Sequence, residues 1–257
     1  MLKRSEIKVL VLTGDGINCE QETALAFKEL GVDAQIIHIE DLIIKKELLK
    51  SAHILALPGG FSFGDEIGSG QILALKLKYS LGNEINEFIE SKKLIIGICN
   101  GFQALVRMGL LPKPFENRVL TLTHNDQGHF INRWVDLEVP DSVCAWTTDL
   151  KGEKLILPIR HGEGRIVFKG NQVEQENCYH NLCEQRQVAM TYADNVNGSY
   201  QNIAGLCDPS GLIFGLMQHP EAAISMWQYP SGKDKSYEKG LGILIFESGL
   251  KYCENNL

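Results

Sequence analysis

No stretch of about 18 consecutive apolar residues occurs among the 257 residues, so nothing in the sequence reads as a membrane-spanning helix. An excess of positive charge is also missing. The 25 Lys and Arg stand against 32 Asp and Glu, a formal net charge of −7, which argues against a broad nucleic-acid surface because phosphate binding draws on clustered cations. Small molecules or another protein are the partners to expect. The opening residues MLKRSEIKVL hold too short an apolar stretch for a secretory signal. The seven cysteines are odd in number and irregular in spacing, which argues for free thiols in a reducing, cytoplasmic setting rather than a disulfide framework. The phosphate-cradling pattern Gly-x-x-x-x-Gly-Lys-Ser/Thr is absent, and Gly14-x-Gly16 lacks the third glycine and the downstream acid of a dinucleotide fingerprint. Internal repeats, low-complexity tracts and a clear linker are absent too.

What is present is enough apolar material, 44% of residues, to bury a full core as one large α/β domain or two smaller ones. The first half alternates strand-like and helix-like runs. Lys8 to Thr13, Ala34 to Ile39, Ala52 to Leu57 and Leu94 to Ile98 read as strands; Glu20 to Leu30, Gln71 to Tyr79 and Glu84 to Ser91 read as helices. Continuous Val/Ile/Leu strands separated by helices indicate a parallel sheet covered on both faces, whose sites gather at the carboxyl ends of its strands. From Arg118 onward the strand-like stretches shorten (Val119 to Thr123, Arg133 to Val139, Lys154 to Ile159, Arg165 to Phe168, Val188 to Tyr192), so antiparallel pairs inserted on or extending the parallel core are expected. Asn171 to Gln187 is polar and without periodicity and reads as a surface excursion. Leu212 to Met217 is a last strand, and Gly240 to Tyr252 a closing helix.

The chemistry centres on Leu94 to Met108, LIIGICNGFQALVRM, which sets Cys99 in a glycine-flanked turn between a strand-like and a helix-like run. A residue there is lifted out of the sheet, next to the free N–H groups that open the helix. A free thiol is only a few per cent ionised at neutral pH, so a nucleophilic Cys99 needs a base. Of seven histidines, His219 follows an apolar strand and has a carboxylate two residues on, at Glu221. In extended backbone those side chains face the same way, which lets Glu221 hold the histidine tautomer. Against this, a cysteine in a glycine turn is more often an inert core thiol, and an isolated His-x-Glu more often a surface pair. A Gly59-Gly60 turn at a third strand end makes the combination harder to dismiss.

Gly97-Ile98-Cys99-Asn100-Gly101-Phe102-Gln103 and His219-Pro220-Glu221 resemble the nucleophile and His-Pro-Glu motifs of class I, or triad, glutamine amidotransferases. A more specific resemblance, to the glutaminase subunits of phosphoribosylformylglycinamidine synthases in purine biosynthesis, is carried by several further motifs in the family's order. These are Gly14 to Cys19, Pro58 to Asp65, Gly109 to Pro112, His161 to Arg165, and Asn197-Gly198-Ser199 followed by Ile203-Ala204-Gly205. The chain departs from the family pattern at Gln218 (usually Pro), Ala222 (usually Arg) and Phe63 (commonly Tyr).

The resemblance implies a single domain over residues 1–257, with a flavodoxin-like parallel sheet flanked by helices and an antiparallel β-rich extension. It implies Cys99 as nucleophile, His219 as base, Glu221 as its orienter, Gly60 and Asn100 N–H groups as oxyanion donors, and Gln103 as a substrate contact. The substrate would be glutamine. A large synthetase subunit would receive the ammonia and aminate formylglycinamide ribonucleotide, a small accessory subunit being a further candidate partner. No cofactor is expected on this chain, with ATP and magnesium on the partner. His161-Gly162-Glu163-Gly164 reads equally as site or hairpin, and Cys19 as packing at a helix start rather than reacting. Cys178, His180 and Cys183 have no repeated spacing, so zinc is not expected. The rival readings are another triad amidotransferase subunit, a cysteine hydrolase or chaperone of the related α/β superfamily, and a catalytically silent interaction subunit.

Overall fold

The structure, a computed structural model, describes residues 1–114, 116–230 and 239–257. Its first half builds β1 (Val9–Thr13), α1 (Glu20–Lys28), β2 (Ala34–His38), the short helices α2 (Ile39–Ile44) and α3 (Glu47–Ser51), β3 (Ile54–Leu57), α4 (Gln71–Glu90), β4 (Leu94–Ile98) and α5 (Asn100–Met108). The second half adds β5 (Leu120–Thr123), β6 (Ile131–Glu138), β7 (Lys154–His161), β8 (Arg165–Phe168), α6 (Gln172–Glu184), β9 (Val188–Tyr192), β10 (Ile203–Cys207), β11 (Ile213–Leu216) and α7 (Ile243–Asn256).

Among the described residues nine strands form one sheet in the order β2-β1-β3-β4-β11-β10-β9-β6-β7, and β5 pairs with β8 apart from it. The strands from β2 to β11 run parallel, and β10, β9, β6 and β7 continue the sheet antiparallel. The sheet thus has the expected parallel core, and the antiparallel strands extend it at one edge. All residues of β3 and β4 are buried, as strands covered on both faces must be. Buried apolar residues from Ile7 to Cys253 join in one contiguous cluster. No helix of the described residues is long and apolar enough to cross a membrane.

Four local readings are corrected. The two helical runs at Gln71 to Tyr79 and Glu84 to Ser91 are one helix, α4, because Leu73, Leu77, Leu81, Ile85 and Phe88 keep one buried stripe across Gly82. Asn171 to Gln187 is not an irregular excursion: Asn171 accepts from Glu174 N–H while Glu174 accepts from Asn171 N–H, a reciprocal cap that starts α6. β10 is a strand that the sequence pattern did not mark. Glu221 does not continue a strand past His219, since Pro220 opens a one-turn 3₁₀ helix, Pro220–Ala223.

Candidate active site

Three neighbouring parallel strands, β3, β4 and β11, end side by side, and their next residues supply Gly59-Gly60, Cys99 and His219. Sequence-distant residues are brought together by strand order alone. Cys99 sits between β4 and α5 with φ 49° and ψ −104°, and its N–H donates to Leu216 O at 2.8 Å. A non-glycine residue held there costs about 1–3 kcal/mol, which surrounding packing must impose. That packing needs glycine at 101, where a Cβ would fall 1.9 Å from Leu57 O as α5 presses on β3. As the first residue of α5, Asn100 has an N–H without an intrahelical acceptor. Gly60 has φ +146°, favoured by glycine, and its missing Cβ leaves room for Gly16 O, which would otherwise lie 2.6 Å away.

The His219 ring is buried, and its Nδ1 pairs with Glu221 Oε1 at 2.6 Å. The turn carrying Glu221 is pinned from behind by Gly242 N–H to Ala223 O and Gly240 N–H to Ile224 O, both 2.9 Å. Nε2 has no partner among the described residues. Burial opposes a charge on this ring, but the adjacent Glu221 carboxylate, aided by the thiols of Cys99 and Cys19, outweighs it and holds the imidazole well above its usual pKa. Gly59 is required beside it, since a Cβ there would approach His219 Cε1 to 2.7 Å.

Side chains knit the surrounding loops to the nucleophile turn. Asn100 Oδ1 accepts from Ser62 N–H at 3.1 Å, and its Nδ2 donates to Asp65 Oδ1 and Gln103 Oε1, both at 2.9 Å. Gln103 Nε2 donates to Glu163 O at 2.5 Å, so the Gln103 amide is engaged within the protein. His161 is buried, with Nδ1 on Asn125 Oδ1 at 3.0 Å, and Asn125 Nδ2 donates back to His161 O at 2.8 Å. This histidine braces the His161-Gly162-Glu163-Gly164 turn; Gly164 lies so near its ring that a Cβ would clash at 2.2 Å.

Burial, reinforced by the His219 charge, drives the His161 pKa down to about 3. The unfolded chain protonates this side chain below about pH 6.5 and the folded one only near pH 3, so in that window the unfolded state binds more protons and stability falls as pH falls, by up to about 1.4 kcal/mol per unit. Urea unfolding of His161→Asn should therefore show a shallower loss of stability between pH 6.5 and 3 than the wild type. Equal slopes would mean that His161 is not held neutral.

Cys99, His219 and Gly60 open into a pocket of about 190 Å³, completed by Asn18, Cys19, Phe61, Phe130, Asn132 and Arg160. Gln103 does not line it. Cys19 does precede α1 as expected, yet its Sγ also lies 3.9 Å from His219 Nδ1, and burial pushes its thiol up. Metal-ligating atoms of Cys19, His219 and Glu221 fall within 4.8 Å of one another, the one group of that kind among the described residues. Asn18, Arg160 and the Phe61–Phe130 pair were not singled out from sequence. Asn18 and Phe61 fall inside the Gly14 to Cys19 and Pro58 to Asp65 motifs without a site role attached to them, while Phe130 and Arg160 lie in no motif and reach the pocket through sheet register and loop closure.

Residues 6–253 match the model of the CobB/CobQ-like glutamine amidotransferase domain. The chain belongs to this amidotransferase family. It is 41% identical to phosphoribosylformylglycinamidine synthase subunit PurQ of Methanococcus maripaludis, over 97% of this chain and 93% of that protein. Identity to the PurQ subunit of Dehalococcoides mccartyi is 40%, covering 97% and 98%. Among solved structures, a chain of PurLQS from Thermotoga maritima superposes with a TM-score of 0.75 at 32% identity, covering 96% of this chain and 99% of that one.

Proposed function

We propose that the chain is the glutaminase subunit of a phosphoribosylformylglycinamidine synthase, which releases ammonia from glutamine through a thioester on Cys99. The observation that carries this reading is the meeting of Cys99, His219 and Gly60 in one pocket, with Glu221 bonded to His219 behind it, in a chain whose full-length relatives are PurQ subunits. His219 Nε2 takes the Cys99 thiol proton as the sulfur attacks the side-chain amide carbon of glutamine, and the electron pair of the C=O bond moves to oxygen. Gly60 and Asn100 N–H groups stabilise that oxyanion. As the intermediate collapses, the C–N bond breaks and the protonated His219 Nε2 gives its proton to the leaving nitrogen, releasing ammonia. His219, now neutral, takes a proton from water, whose oxygen attacks the thioester; C–S cleavage then frees glutamate, and His219 returns the proton to the Cys99 sulfur. Glu221 keeps the Nδ1 proton in place throughout. Gln103 contributes to glutamine binding, which from this geometry requires its amide to leave Glu163 O or act through the turn it braces.

The ammonia serves a large synthetase subunit that aminates formylglycinamide ribonucleotide with ATP and magnesium, assisted by a small accessory subunit. Support for such an assembly comes from the likeness to PurLQS. A cysteine hydrolase or chaperone is disfavoured by the family match, and a silent subunit by the paired His219 and Glu221. The test compares glutamine turnover by the purified chain alone and with its synthetase subunit, nucleotide substrate and ATP present. The expected result is slow turnover alone and at least about tenfold faster turnover in the complex, since each tenfold needs only about 1.4 kcal/mol of barrier lowering. Equal rates would contradict the coupling.

A further inference from the structure

Phe130 and Asn132 stand two residues apart and so share one face of the β6 edge, and Asn132 pairs directly with Arg160 on β7. All three line the pocket above Cys99, while the alternate residues Ile131, Ile159 and His161 are buried on the opposite face. The Arg160 carbonyl is 3.8 Å from Cys99 Sγ, so the guanidinium springs from backbone immediately beside the nucleophile. It is the pocket's one side chain that carries a fixed positive charge, and His219 is committed to Glu221. The Phe61 and Phe130 rings, also in the lining, stack at 6.3 Å and give it an apolar stretch.

Glutamine enters with its amide at Cys99 and Gly60, which obliges its charged α-end to lie against the remaining polar wall. We propose that Arg160 is the specificity residue of this pocket: its guanidinium receives the α-carboxylate of the substrate, with the Asn132 side chain beside it. This rests on the glutaminase reading and names the group that selects a free amino acid over an amide without a nearby carboxylate. A charge-assisted Arg–carboxylate contact is planar and bidentate, and its loss weakens binding by roughly 10- to 100-fold.

The experiment uses the assembled complex with two substrates, L-glutamine and L-glutamine whose α-carboxylate is converted to the carboxamide. Wild type is expected to favour glutamine by roughly 10- to 100-fold in kcat/KM. Arg160→Ala should raise KM for glutamine by a similar factor at nearly unchanged kcat, leave the carboxamide unaffected and so erase the preference; Arg160→Lys should recover part of it. Ammonia-dependent amination should stay at wild-type level. Equal losses on both substrates, an unchanged preference, or a loss of ammonia-dependent amination, which would place Arg160 at the partner interface, would each overturn the assignment. Failure of the wild-type complex to use glutamine at all would instead overturn the glutaminase reading.

Discussion

Replacing Cys99 with alanine is expected to lower glutamine-dependent amination by the complex by about 10⁴-fold or more, while amination from added ammonium salt continues at the wild-type rate. The two outcomes separate because the thiol is needed only to break the amide. Alanine fits the site: the side chain is small and buried, and the backbone at φ 49° is imposed by α5 packing on β3 rather than by the sulfur. The strain stays and the chemistry goes. Steady-state rates with each nitrogen source, at matched protein concentration, check this directly. Retention of more than a hundredth of the glutamine rate would remove Cys99 from the mechanism.

The second large effect falls on Glu221. Its Oε1 accepts from His219 Nδ1 at 2.6 Å in a place almost closed to water, and the carboxylate is what holds the ring charged against burial. Glu221→Gln keeps the shape and removes the charge, and its amide nitrogen can donate to Nδ1, which forces the proton onto Nε2 of a neutral ring. A ring in that tautomer cannot accept a proton at the nitrogen the reaction needs. A fall in kcat of roughly 10³- to 10⁴-fold is expected, by analogy with tautomer loss in other triads. Glu221→Asp keeps the charge but shortens the reach and should fall between. If Glu221→Gln turned over glutamine within tenfold of wild type, orientation by Glu221 would not be part of catalysis.

These expectations show how unevenly the chain declares itself. Cys99, Gly60 and His219 were visible because each follows a continuous apolar strand, and strand ends in a parallel sheet are where side chains emerge. The link from His219 to Glu221 was anticipated, but for the wrong backbone: Pro220 turns the chain into a 3₁₀ helix, and the carboxylate reaches Nδ1 around that turn. α6 was missed because its faces carry little hydrophobic contrast, and its start was written instead in the Asn171–Glu174 cap. β10 was missed because a short strand with an internal Gly205 offers no alternation; it is defined by pairing with β9 and β11. Arg160 had no local signal at all. Its position follows from the β6–β7 register, which only the folded sheet sets.

Cys19 makes the closing test a discriminating one, because two thiols face the same imidazole. The complex is treated with a glutamine analogue bearing an electrophilic diazoketone in place of the amide, and the adduct is located by peptide mass spectrometry. A nucleophile at the strand-to-helix turn predicts one adduct, on Cys99, slowed by excess glutamine and absent from the Cys99→Ser variant. Labelling of Cys19 in place of Cys99, equal labelling of several cysteines, or no labelling in the assembled complex would contradict the account.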